Sequence, residues 1–230
     1  MRAILKMTTE TQVALALREE LLSGSVAPGT RLTEEAMAAD LGVARATLRT
    51  ALNRLSQEGL VTQEPYRGWY AANLSAQDVW ELYTLRGSLE ALAARLAAQA
   101  QDNGPALEIN SCLNMLSVAC RSNDYAAAAK ADFELHKQIV DRARHRRLAE
   151  QYRLISQQIR MLIASSNALI TDLGTLFAQH EPIVDAINSG NAELAAQLSE
   201  RHSHEEGRIL FAHLQQKEAE NPTRAPRAFD

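Results

Sequence analysis

RLTEEAMAADLGVARATLRTALNRLSQEGLVTQEPYRGWY, residues 31–70, reads as two short helical patterns followed by a strand–turn–strand. Thr33 precedes an acidic first turn, as an N-cap should, and the first pattern stops at Leu41-Gly42. A second pattern starts at once from Ala44 and spaces Leu48, Ala51, Leu52 and Leu55 along one buried face. Two helices joined by a turn of about four residues that contains a glycine form a helix-turn-helix, whose second helix enters the major groove. Arg45 and Arg49 share a face in the N-terminal half of that second helix. Arginine is the side chain best suited to bidentate readout of guanine. Glu64-Pro65 and Gly68 break the β-rich run at 60–72, as a wing beside the motif requires. With a preceding helix over Thr8–Leu22, residues 8–72 are expected to form a winged helix-turn-helix that binds double-stranded DNA.

Composition limits the rest. The chain has 230 residues, 46% hydrophobic and only 5% aromatic, which favours closely packed helices over a sheet. No apolar run approaches the ~20 residues of a membrane span, and the N-terminal apolar stretch is too short for a secretory signal. Cys112 and Cys120 lie too far apart on one helix to bridge each other and read as small hydrophobes in a reducing compartment. A cytoplasmic location is the expectation. The net charge of −4 looks unsuited to DNA, but residues 1–72 carry eight basic and eight acidic side chains, the remainder sixteen and twenty. The acidic excess therefore lies outside the reader, and charge near the phosphates is what counts.

From Ser75 the period is helical throughout. Ser75 and Asp78 resemble a capping box opening a helix through Leu82, Leu85, Leu89, Leu92 and Leu96, which Asn103-Gly104-Pro105 ends. Five further helices are expected up to Gln216, giving an all-α bundle over 75–216, with a disordered tail over 217–230. The fold class is thus mainly α. Within this bundle Asp132 and His136 stand one turn apart and could reach one ion. His180 and His202 lie beside apolar faces, whereas His204 points elsewhere than His202, and His145 sits in a basic, solvated cluster. Spacing alone is equally compatible with hydrogen-bonded core histidines. Arg86 falls among apolar neighbours, where an unpaired charge is costly. It reads either as an anchor for a carboxylate ligand or as an ion pair with Glu90, and Arg160 is a weaker candidate of the same kind.

LGVARATLRTALNRLSQEGLV, with PGTRL before it and RGWYAA after it, resembles the winged helix-turn-helix of the GntR family of bacterial transcriptional regulators. The helical order beyond Ser75 is similar to the FCD effector-binding domain of its FadR-type branch. The resemblance implies a homodimer on a palindromic operator, contacted through Arg31, Arg45, Thr47, Arg49, Arg67 and Gly68. This chain departs from the pattern at Ala44, Ala46 and Thr47, and has Glu35 where some relatives carry a DNA-contacting arginine. The resemblance further implies a divalent ion, Zn, Ni or Mn, held by Asp132, His136, His180 and His202. A small carboxylate effector would bind beside that ion and near Arg86 and Arg160. Repression relieved by the effector is the commoner mode, activation the alternative. The competing readings are a constitutive DNA-binding dimer with a purely structural metal, and a metal-dependent hydrolase. HExxH, nucleophile-elbow and P-loop motifs are absent, so the chain is expected not to be an enzyme.

Overall fold

The structure, a computed structural model, describes residues 7–23, 25–100 and 106–220. The chain divides between Leu74 and Ser75 into two units. Among the described residues no helix is long and apolar enough to cross a membrane.

The first unit is built around α3 (Arg45–Gln57), whose Leu48, Ala51, Leu52 and Leu55 are all buried, as their spacing predicts. α1 (Thr9–Leu22) starts at Thr8, whose hydroxyl accepts from the Thr11 amide, and packs on α3 through Val13, Ala14 and Leu17. Arg18 is buried in this contact and donates through Nε and Nη2 to Glu58 at 2.8 and 2.7 Å, fastening α1 to the end of α3. α2 (Glu34–Asp40) begins after Thr33, which takes the extended N-cap backbone without making the side-chain bond. Gly42, at φ +64°, turns the chain from α2 into α3, a conformation that penalises any residue with a Cβ. β2 (Val61–Glu64) and β3 (Gly68–Ala71) form the antiparallel wing, with Val61 opposite Ala71 and Glu64 opposite Gly68. The sheet has a third strand, β1 (Arg31–Leu32), which pairs Leu32 with Trp69 on the free edge of β3. Two residues carry no alternating pattern, so the sequence gives no sign of it.

The second unit is helical throughout its described residues. α4 (Ala76–Gln99) opens on a complete capping box: Ser75 Oγ accepts from the Asp78 amide, and Asp78 accepts from the Ser75 amide. α5 (Leu107–Arg121) and α6 (Tyr125–Arg142) follow, α6 capped by Asp124. α7 (Arg146–Asn167) is capped by His145, whose Nδ1 accepts from the Leu148 amide. α8 (Leu173–Asn188) is capped by Asp172, and Asn191 caps α9 (Ala192–Glu220). The core gathers Ile109, Leu116, Tyr152, Ile159, Ile163 and Leu176, each large apolar side chain contributing about 1.5–3 kcal/mol by burial.

One expectation for this unit changes, and its α4 packs by a face that the leucines do not mark. Leu85 and Leu92 are exposed, and the face turned inward carries Val79, Tyr83, Arg86, Gly87, Glu90, Ala93, Ala94 and Ala97. Small residues prevail there because α4 lies against α9 at short range; a Cβ on Gly207 of α9 would fall 2.6 Å from Tyr83 Cβ. Helix α9 also continues to Glu220, past the Gln216 end expected of it, and Glu218 accepts from the Ala76 amide at 2.8 Å. That bond gives the last turn a partner on α4, which helical period alone does not reveal. The remainder of the expected tail, 221–230, and the Asn103-Gly104-Pro105 break lie outside the described residues.

Candidate functional site

In the first unit Arg45 is the first residue of α3 and Arg49 lies one turn on; both are exposed and stand on the same face. Thr47 is half-buried between them, Arg31 is exposed on β1, and Arg67 is exposed at the turn of the wing. Gly68, at φ +102°, starts β3, and nothing lies within 4 Å of where its Cβ would be. The tip of the turn is Tyr66, fully exposed at φ +64°. Its side chain was not singled out from sequence. Arg45 pairs with Glu35 at 2.7 Å, and Arg67 with Glu64 at 2.8 Å.

Arg49 is held more firmly. Its Nε and Nη2 donate to the two oxygens of Glu34 at 3.2 and 2.7 Å, and Glu34 also accepts from the indole N–H of buried Trp69 at 3.0 Å. The Arg49 bond, helped by Trp69, holds the Glu34 carboxyl below its usual range against partial burial. A fork gripped through Nε and Nη2 keeps its Nη1–Nη2 edge, which is the edge that fits a guanine.

In the second unit the four expected metal ligands converge from α6, α8 and α9, and all four are buried. Asp132 Oδ1 lies 3.3 Å from Nε2 of both His136 and His180, and the two Nε2 atoms are 3.1 Å apart. One nitrogen from each of His136, His180 and His202 falls within 4.8 Å of the others. The outer atoms are oriented. His180 Nδ1 donates to the Leu176 carbonyl at 2.8 Å, which turns Nε2 toward the centre. Asn167 donates to Asp132 Oδ2 at 3.0 Å, freeing Oδ1, and His136 Nδ1 lies 3.0 Å from Glu90 Oε2. Such partners fix tautomers and ring planes around metal ligands.

Electrostatics follow from this packing. Burial, and Arg86 with it, disfavours charge on His136, but the Glu90 and Asp132 carboxylates together raise its pKa to about 9. Burial and the neighbouring His180, His136 and Arg86 push His202 well below the usual imidazole range. Burial works against ionised Asp132, yet His180 and His136 hold it well below the carboxylate range. The resident proton of His136 Nε2 thus points into the space where the ligand atoms meet. Asp132 Oδ1 and His202 Nε2 are buried without a hydrogen-bond partner, a cost of about 1–3 kcal/mol each. A divalent cation would satisfy both, and one carboxylate with three imidazoles is a donor set suited to Zn, Ni or Mn. The residues fit a metal.

Arg86 lies directly behind this centre. It is buried, donating through Nε to Glu90 at 2.9 Å and through Nη1 to Glu206 at 3.1 Å, with only Nη2 lacking a partner. The ion pair with Glu90 is therefore formed, and Tyr152 and Ser203 donate to the same carboxylate at 2.9 and 3.1 Å. Glu206 was missed from sequence, where it follows exposed Glu205 in an acidic run. Its place one turn beyond His202, on the buried line of Ala195, Ser199 and Leu210, is the signal that could have found it. Burial, with Asp132 adding to it, raises its carboxyl pKa, while Arg86 opposes the shift. A cavity of about 230 Å³ adjoins Glu206 and is lined also by Ser166, Thr171, Thr175, Gln179 and Ile209. Arg160, half-buried on α7, is not among the lining residues.

Comparison with known proteins agrees with both halves. Residues 9–71 match the family described as bacterial regulatory proteins, gntR family, and residues 81–205 match the FCD domain. The "Probable D-xylose utilization operon transcriptional repressor" of Paenarthrobacter nicotinovorans is 27% identical over 88% of this chain and 90% of its own. The "Nta operon transcriptional regulator" of Aminobacter aminovorans is 37% identical over 58% and 63%. A crystal structure of a GntR transcriptional regulator from Rhodococcus sp. RHA1 superposes with a TM-score of 0.79 at 25% identity, covering 90% of this chain and 99% of that one. The chain belongs to the GntR family of bacterial regulatory proteins and carries an FCD domain; it is a DNA-binding transcriptional regulator, not an enzyme.

Proposed function

We propose that this regulator is a homodimer whose affinity for a palindromic operator is set by a small organic acid bound at a metal centre in the helical unit. The observation that carries the reading is the clustering of His136, His180 and His202, with Asp132 Oδ1 3.3 Å from the first two and with Asp132 Oδ1 and His202 Nε2 buried and unpartnered. When bound, the ion would supply positive charge to which a carboxylate is attracted. Asp132, His136, His180 and His202 would hold it, and the Leu176 carbonyl, Asn167 and Glu90 orient those side chains. Arg45, Thr47 and Arg49 meet base edges in the major groove, and Arg31, Arg67 and Gly68 meet the flanking backbone or minor groove. The partly exposed leucine repeat of α4 supports dimerisation, since Leu82, Leu85, Leu89, Leu92 and Leu96 follow a heptad spacing. The acid favours one arrangement of the paired readers, changing operator affinity by the ratio of its affinities for the two states. Repression relieved by the acid is the proposed sign, in keeping with the name of the Paenarthrobacter relative.

One observation favours the second reading, a structural metal in a constitutive DNA binder: two internal carboxylates already occupy Arg86. The test is the metal content of purified protein, with thermal shifts against a panel of carboxylic acids. About one ion per chain and a shift from an acid that chelator abolishes support the gated regulator. His180→Ala is expected to lose metal and acid response while the apo protein still binds DNA; full occupancy in that variant would sink the ligand assignment. Metal-dependent stability without response to any acid would select the structural ion.

A further inference from the structure

We propose that Glu35 reads the cytosine of the G·C pair whose guanine Arg45 reads, so that two oppositely charged side chains together recognise one whole base pair. This rests on α3 being the recognition helix, as proposed above, and adds a base-reading residue from the helix before it. Glu35 is the second residue of α2, and Arg45 is the first of α3. Arg45 Nη2 lies 2.7 Å from Glu35 Oε1, and both side chains stay largely exposed, 61% for Arg45 and 77% for Glu35. The neighbouring carboxylate is in a different situation. Glu34 is 24% exposed, holds Arg49 with both oxygens and accepts from Trp69 as well, so its acceptors are taken up within the protein. Glu35 meets Arg45 through one oxygen, and among the described residues its other oxygen has no partner.

A carboxylate beside a base-reading arginine is repelled by phosphate and is tolerated in the groove only where a donor meets it. The major groove offers two such donors, the amino group on cytosine N4 and that on adenine N6. The order of groups along each pair decides between them. A G·C pair presents two acceptors, guanine N7 and O6, and then the cytosine N4 donor. An A·T pair places the N6 donor between two acceptors, adenine N7 and thymine O4. An arginine fork followed by a carboxylate is two donors and then an acceptor, which complements the G·C row and not the A·T row. The spacing agrees. Guanine O6 and cytosine N4 are joined by a base-pairing hydrogen bond and so stand about 2.9 Å apart, close to the 2.7 Å between Arg45 Nη2 and Glu35 Oε1. Arg45 also offsets the charge of Glu35, which lowers the cost of bringing a carboxylate among phosphates.

The experiment selects binding sites for the full-length protein from randomised duplex DNA and locates the G·C pair whose identity is lost with Arg45→Ala. Wild type and Glu35→Ala are then titrated, by fluorescence anisotropy, with duplexes carrying cytosine or N4-methylcytosine at that pair. The methyl group replaces the amino hydrogen that faces the groove and leaves the guanine edge as it was. Wild type is expected to bind the methylated duplex about fivefold or more weakly, the lower end of discrimination by a base contact. Glu35→Ala should bind the two duplexes within about twofold of each other and lose about fivefold of its preference for G·C over A·T at that pair. Equal binding of both duplexes by wild type overturns this proposal and leaves the recognition helix standing. A methyl penalty that persists in Glu35→Ala overturns it too, because another side chain then meets the cytosine. Tighter binding of every duplex by Glu35→Ala with its G·C preference intact does the same, since Glu35 would then act only by repelling phosphate. Selected sites with no pair that depends on Arg45 overturn the assignment of α3 and this proposal together. The comparison of the two duplexes in wild type stands by itself if the variant does not fold.

Discussion

Replacing Gly207 with alanine tests whether the metal centre depends on the close approach of α4 and α9. In an exposed helix the change would stabilise by about 1 kcal/mol, the difference in helix propensity. Here the new Cβ would lie 2.6 Å from Tyr83 Cβ and 2.7 Å from Tyr83 Cγ, against an optimal carbon separation of about 3.5–4.0 Å. Tyr83 Cβ is attached to its backbone and cannot rotate away, so the helices must part by about an ångström. Overpacking of this kind costs about 1–3 kcal/mol. The separation also stretches Arg86–Glu206 at 3.1 Å and Ser203–Glu90 at 3.1 Å, both of which cross the same seam. The steric and hydrogen-bond losses exceed the propensity gain, and net destabilisation of about 1–2 kcal/mol is expected, a fall in Tm of about 2–8 °C. Zinc affinity should fall with it, because His202 moves with α9. Differential scanning calorimetry and competition with a zinc indicator measure the two quantities. A raised Tm, or unchanged zinc affinity, would refute the argument that this seam sets the site.

Three further outcomes can be checked. The His136 pKa is raised to about 9, so below that pH its proton must leave before the nitrogen can ligate. Metal uptake at pH 7.5 should therefore release about one proton from this residue, and affinity should fall by up to about tenfold per pH unit below 9; calorimetry in buffers of different ionisation enthalpy would show no difference if the reasoning fails. Arg45→Ala should cost ~1–3 kcal/mol of specific operator binding and relax the preference at one base pair, which an unchanged footprint and affinity would contradict. Leu85→Glu, on the exposed side of α4, should weaken the dimer with little loss of protomer stability; an unaltered sedimentation coefficient at micromolar concentration would place the dimer contact elsewhere.

The reader was largely legible because each of its devices is local. The face of α3, Gly42 and the turn residues of the wing act within a few positions of themselves, and periodicity and turn chemistry report them directly. The Asp132/His136 pair was legible for the same reason, since one helical turn joins them. The resemblance, not the spacing, brought His180 and His202 into the set, because contacts between α6, α8 and α9 depend on tertiary packing. The same limit hides which face of α4 is buried. Leucines mark a buried stripe only when the partner helix stands far enough off to receive them, and Gly87 and Gly207 bring α9 too close. Glu206, Ser203 and Tyr152 were missed because polar residues read as solvated unless a buried partner is known.

Glu34 joins the recognition helix to the hydrophobic core of the wing. An altered residue at Arg49 that no longer suits Glu34 leaves a carboxylate without its cation, and loss of Glu34 strands the indole N–H of buried Trp69. If Arg49 reads the operator as proposed, a change of half-site through it is coupled to folding of the wing. Such a change would touch Arg49, Glu34 and Trp69 together, whereas Arg45, whose ion pair among the described residues is with exposed Glu35, could vary without that coupling.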